Sequence, residues 1–124
     1  MRFTPAQRLR KASEFQCVRA EGRCVNCGPF LAYHHLPPAS ESRPGEAPRL
    51  GVVASRRVGN AVVRNRVKRR LREVFRKNQD ALPRDCRVIL IARRSCATRE
   101  FDELERRFIK FCERVSASDN ASAH

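Results

Sequence analysis

The chain has 124 residues, with 27 Lys or Arg against 13 Asp or Glu, and so a net charge of +14 at neutral pH. That length suits one compact domain able to bury enough surface to fold without disulfide or metal staples, so the six cysteines are expected to be reduced thiols in a cytoplasmic protein. The charge excess points to a polyanionic partner, nucleic acid first; no stretch approaches the ~18 consecutive apolar residues of a spanning helix, and no apolar signal peptide follows Met1.

Residues 1–12 are basic with few large apolar groups and read as an irregular arm. Ser13 is the expected N-cap of a helix of two to three turns, with Glu14 in its first turn, Phe15 and Val18 on one side and Gly22 as a left-handed stop. Gly28-Pro29 separates a short strand, Arg23 to Cys27, from a second, Phe30 to Leu36. The Pro-, Ser- and Glu-rich stretch 37–48 has no periodicity and is expected to be a flexible, solvated loop. Arg49 to Ser55 reads as a third strand. Arg87 to Ala92 reads as a fourth, whose unbroken Val-Ile-Leu-Ile run predicts burial on both faces.

Between those two strands, Asn60 to Lys77 reads as a helix with Val63, Val67, Leu71 and Val74 on one face and Asn65, Arg69, Arg72 and Arg76 on the other. A final helix is expected from an N-cap at Thr98 to Val115, with Phe101, Leu104, Phe108, Phe111 and Val115 as its apolar seam. Residues 116–124 carry no large apolar group and are expected to be disordered, leaving 1–115 as one domain. The order predicts an α+β fold with three helices packed on a small four-stranded sheet.

Ten Lys or Arg lie between Arg56 and Lys77 against one acid, Glu73. Like charges one turn apart destabilise a helix by a few tenths of a kcal/mol per pair, so the array costs stability unless a polyanion neutralises it. Cations on a rigid helix suit phosphate contacts, and Arg64 and Arg66 flanking Asn65 add forked donors and an amide. No helix-turn-helix partner precedes this helix, which argues against sequence-specific DNA binding. No Ser-His-Asp ordering, Gly-rich phosphate loop or paired acids for protein-based catalysis is present.

The run Leu50 to Arg76, centred on Arg64-Asn65-Arg66, resembles the signature of the bacterial ribonuclease P protein subunit, and the likeness extends from Arg8 to about Val115. It implies a protein that joins a catalytic RNA and helps remove the 5′ leader of precursor tRNA, with chemistry by the RNA and Mg2+ held mainly by RNA phosphates. It also implies a ribosomal protein S5 domain 2-like fold, with a left-handed β-α-β crossover carrying the basic helix. Arg64, Asn65, Arg66, Lys68, Arg69 and Arg72 would then face the catalytic RNA. A cleft formed by the sheet and first helix would hold the leader on Phe15 and Tyr33, with Arg56, Arg57, Arg93 and Arg94 as phosphate partners. Arg19 stands where the family often has a second aromatic, so the cleft here should rely more on charge. By pattern alone Phe15 and Tyr33 read first as ordinary core aromatics, and it is the resemblance that moves them to the cleft; a structural binder of ribosomal RNA is the alternative function. Cys24-Val-Asn-Cys27, with His34 and His35 nearby, has the spacing of half a zinc site but lacks a second close ligand pair; adjacent histidines on a strand point to opposite faces.

Overall fold

The computed structural model describes residues 3–43 and 45–122, excluding the side chains of 118–122. Four strands, β1 (Arg23–Asn26), β2 (Phe30–His35), β3 (Arg49–Val53) and β4 (Arg87–Ala92), form one mixed sheet in the order β1-β2-β4-β3. β4 lies antiparallel to β2 and parallel to β3, so it is central, and its apolar run is buried on both faces as its composition requires. Three helices, α1 (Ala12–Glu21), α2 (Ala61–Asn78) and α3 (Phe101–Ser122), complete the α+β fold, and α2 forms the crossover between the parallel neighbours β3 and β4.

The pairing register assigns each strand residue to a face. Phe30, Ala32, Leu50, Val88 and Leu90 point into the main core, where they meet Val67, Leu71, Val74 and Phe75 of α2 and Leu104, Phe108, Phe111 and Cys112 of α3. Edge-on aromatic contacts link Phe3 to Phe75 at 5.6 Å and Phe75 to Phe108 at 6.2 Å. The opposite face carries Ile89, which is covered by Leu9 and by Val18 of α1.

Helix α2 begins where the sequence indicates. The Asn60 side chain accepts from the Val63 amide at 3.0 Å, closing the cap. Helix α1 starts earlier than Ser13: the Glu14 carboxylate reaches back to the Lys11 amide, so Lys11 is the cap and Ser13 lies in the first turn. Gly22 ends α1 in an extended conformation, φ −81°, and not a left-handed one. A Cβ there would lie 2.4 Å from the Val18 carbonyl oxygen and 2.6 Å from that of His34, so glycine is required by close packing of helix end against strand.

The arm is not irregular throughout. Pro5–Gln7 forms a short 3-10 turn, the Leu9 amide donates to the Leu50 carbonyl at 2.9 Å, and Leu9 is buried. The buried Gln7 amide donates to the Pro48 carbonyl and to Gln79 Oε1, at 2.9 and 2.6 Å. The 37–48 loop is also tied down. Asp85 Oδ2 accepts from the Arg43 amide and the Ser42 hydroxyl, Glu41 pairs with the buried Arg87 at 3.4 Å, and Ala39–Glu41 is a 3-10 turn. Pro44 lies outside the described residues.

Thr98 closes a 3-10 turn over Arg94–Ala97 and does not cap α3, whose first backbone bonds run to the Glu100 carbonyl. The helix then continues through 116–122, a stretch expected to be disordered, because no Gly or Pro interrupts it and extending a formed helix costs little. Ser116 helps by donating to the Ala81 carbonyl at 3.3 Å. Residues 123–124 lie outside the described residues.

Candidate nucleic-acid interface

Two basic surfaces lie on opposite sides of the sheet. The first is the outer face of α2. Burial of Val67, Leu71 and Val74 against the core turns Asn65, Arg66 and Arg69 outward to exposed positions, with Arg64, Lys68, Arg70 and Arg72 half-buried beside them. Several of these cations are held by the fold itself. Arg66 donates to the Ala97 carbonyl at 3.2 Å and Arg70 donates to the Arg99 carbonyl, so the 3-10 turn before α3 orients part of the cationic array. The Arg64 Nε is buried and has no hydrogen-bond partner among the described residues. Burial, with Arg8 nearby, makes the charged form of Arg72 less favourable than usual, a cost that a phosphate in contact would offset. The acid of this helix, Glu73, is paired with Arg76 and held below its usual carboxylate range by that bond.

The second surface is a cleft between α1 and the sheet. Tyr33, Ile89 and Gly51 form one cross-strand row, and Leu31, Ile91 and Val53 form the next on the same face. Phe15 of α1 lies directly over Gly51: a Cβ at that position would be 2.5 Å from the ring. The Arg19 guanidinium lies 5.7 Å from the centre of the Tyr33 ring. Phe15, Tyr33 and Ile91 pack at the margin of the small core and remain half-exposed, and Val53 is exposed. The result is a half-open apolar strip with two aromatic rings and an arginine along one wall.

At the end of this strip, where β3 and β4 finish side by side, Arg57, Arg93 and Arg94 line one recess with Ser55 and Val58. Arg93 is braced by Asn26 Oδ1 and the Gly28 carbonyl, both at 3.2 Å, and Arg94 donates to the Arg57 carbonyl at 3.4 Å. Arg56 is exposed on the same loop. The fold therefore gathers Phe15, Arg19, Tyr33, Arg57, Arg93 and Arg94 along one face, and places Arg64, Asn65, Arg66, Lys68, Arg69 and Arg72 on the helix behind it.

Sequence reasoning missed Gly51, although a glycine inside a strand often marks close approach of another group. It also missed the network beneath the other end of α1. There Glu14 accepts from Arg49 at 2.8 Å and stands 4.0 Å from Arg87, whose side chain is only 5% exposed. Burial works to raise the Glu14 pKa, but the Arg49 hydrogen bond, the backbone donors and the Arg49 charge outweigh it and leave the carboxyl below its usual range.

The fold splits the cysteine pair. Cys24 is exposed whereas Cys27 points into the core, where burial pushes its thiol up to about 11. The two histidines do face opposite ways: His34 packs edge-on against Phe111 at 5.7 Å, and His35 lies on the α1 side near Glu21. Among the described residues no helix is long and apolar enough to cross a membrane.

A family model described as Ribonuclease P matches residues 3–116. The chain is 39% identical over 98 residues to the ribonuclease P protein component of Desulfatibacillum aliphaticivorans, covering 79% of this chain and 78% of that one. It is 35% identical over 114 residues to that of Acidothermus cellulolyticus, covering 92% of each. Among solved structures, the RNase P protein from Thermotoga maritima superposes with a TM-score of 0.73 at 25% identity, covering 87% of this chain and 96% of that one. The Staphylococcus aureus RNase P protein superposes with a TM-score of 0.69 at 25% identity, covering 91% and 94%.

Proposed function

The chain belongs to the ribonuclease P protein family and is the protein subunit of that ribonucleoprotein endoribonuclease; we propose that its two basic surfaces bind two different RNAs at once. The α2 face, through Arg64, Asn65, Arg66, Lys68, Arg69 and Arg72, binds the catalytic RNA. The cleft binds the single-stranded 5′ leader of precursor tRNA, with Phe15 and Tyr33 stacking on bases and Arg19, Arg56, Arg57, Arg93 and Arg94 meeting phosphates. Family membership displaces the ribosomal-RNA alternative, and the site of action is the cytoplasm.

One observation carries this division: α1 and the cleft lie on the side of the sheet opposite α2. Occupancy of one surface leaves the other accessible, which a protein bridging substrate and catalytic RNA requires. On α2 the acid Glu73 is bonded to Arg76, and in the cleft Arg19 stands over Tyr33. The Mg2+ of the reaction is then held mainly by RNA phosphates, and the protein lowers the concentration needed by screening leader from catalytic RNA.

The test compares two sets of variants in the reconstituted holoenzyme. Arg64→Gln, Arg66→Gln and Arg69→Gln should weaken binding to the RNA subunit for every precursor and flatten its salt dependence. Phe15→Ala should leave that affinity intact and lower the preference for precursor over mature tRNA by roughly tenfold, the scale of one lost stacking contact. Equal effects of both sets in both assays would refute the division.

A further inference from the structure

Cys17 and Glu21 are one helical turn apart on α1, on the side that faces β2. His35, at the end of β2, points to the same place because it shares a sheet face with Tyr33. Glu21 Oε2 lies 3.8 Å from Cys17 Sγ and 3.8 Å from His35 Nε2, and one ligand atom from each residue lies within 4.8 Å of the other two. In a tetrahedral zinc site, bonds of about 2.0 to 2.3 Å put neighbouring ligand atoms roughly 3.3 to 3.6 Å apart. A contraction of a few tenths of an ångström along the two measured edges, with closure of the third, converts this cluster into three corners of such a site.

We propose that Cys17, Glu21 and His35 bind a divalent cation of the zinc class, with solvent or a ligand atom of a bound partner at the fourth position. Thiolate, imidazole and carboxylate together select zinc over the hard cations magnesium and calcium, which prefer all-oxygen shells. At 3.8 Å the His35 ring nitrogen is too far from Glu21 for a hydrogen bond, so that ligand atom is not committed to the carboxylate. Glu21 is 68% exposed while the His35 side chain is 15% exposed, so the carboxylate arm can swing and the imidazole is fixed. The site is separate from the Cys24-to-Cys27 spacing, which the fold splits between surface and core. It is two residues from both Arg19 and Tyr33, so a bound cation would clamp the end of α1 to β2 beside the cleft.

The test titrates the full chain, reduced with a thiol-free reductant, with Co2+ as a spectroscopic probe and Zn2+ as competitor. The proposal expects one equivalent of Co2+ to give a thiolate-to-cobalt charge-transfer band in the near ultraviolet that Zn2+ abolishes. Cys17→Ser and Glu21→Gln should each weaken Co2+ binding at least about tenfold, while Cys24→Ser leaves it unchanged. Glu21 is exposed, so that variant keeps the fold and separates ligand loss from unfolding. Absence of the band at one equivalent, or a band that survives in Cys17→Ser and is lost in Cys24→Ser, would overturn the assignment.

Discussion

Replacing Gly51 by Ala puts a methyl group 2.5 Å from Phe15 Cζ and 2.7 Å from Cε1. Ordinary carbon contacts are about 3.5 to 4.0 Å, so the ring must retreat by roughly 1 Å from the floor of the cleft. Overpacking of this kind costs ~1–3 kcal/mol, against a gain of ~0.5–1 kcal/mol from replacing glycine in a strand, which leaves a net loss of about 1–2 kcal/mol. In a Phe15→Ala background the obstacle is gone, and the same Gly51→Ala change should be neutral or mildly stabilising. The double-mutant cycle, measured by urea unfolding, is therefore expected to give a coupling of about 1.5–3 kcal/mol between positions 36 residues apart in sequence. Precursor affinity of the holoenzyme should fall with Gly51→Ala as is expected for Phe15→Ala, because both disturb the surface proposed to stack on leader bases. A Gly51→Ala cost equal in the two backgrounds would refute the placement of Phe15 on Gly51, and with it the shape assigned to the cleft.

The acid limb of stability should report Glu14. The Arg49 hydrogen bond and charge hold its carboxyl below the usual carboxylate range, so its contribution is present above an ordinary glutamate pKa of about 4.3 and is lost as pH falls through the lower folded value; Glu14→Gln should be less stable at pH 7 and flatter on the acid limb in urea midpoints. Two neighbouring arginines of α2 should separate cleanly. Arg69 is exposed, so Arg69→Gln should lower RNA affinity without changing the urea midpoint, whereas Arg70→Gln breaks the bond to the Arg99 carbonyl and should cost about 1 kcal/mol of stability. Thiol labelling with iodoacetamide at pH 7.5, read by mass spectrometry, should modify the exposed Cys24 first. Cys27, Cys96 and Cys112, pushed by burial to about 11, about 11 and about 12, should react only on unfolding.

The elements were legible in the sequence because their signals are local. Apolar residues every three or four positions marked α2 and α3, an unbroken apolar run marked the central strand, and Asn60 sat where a cap is needed. Ten cations in one short segment point to a polyanionic partner from composition alone. Helix ends were less legible. Ser13, Gly22 and Thr98 each have the residue type of a cap or stop, but the Glu14 carboxylate, the approach of β2 and a preceding 3-10 turn moved or changed the boundary.

What only the tertiary structure decided was which distant residues share a face. A strand alternates faces every residue, so the side on which Tyr33, Ile89 and Gly51 lie depends on register and strand order, neither of which a single sequence encodes locally. The same holds for Arg49 and Arg87: in sequence they look like two more surface cations, and only sheet pairing sets them side by side under Glu14. It holds for Cys17, Glu21 and His35 as well, brought together by the packing of α1 on β2. Composition and periodicity determined that this chain folds as helices on a sheet and binds a polyanion. Long-range packing determined where its cleft lies and which side chains meet there, because contacts far apart in sequence form only when the whole chain has paid the entropy of closing the loops between them.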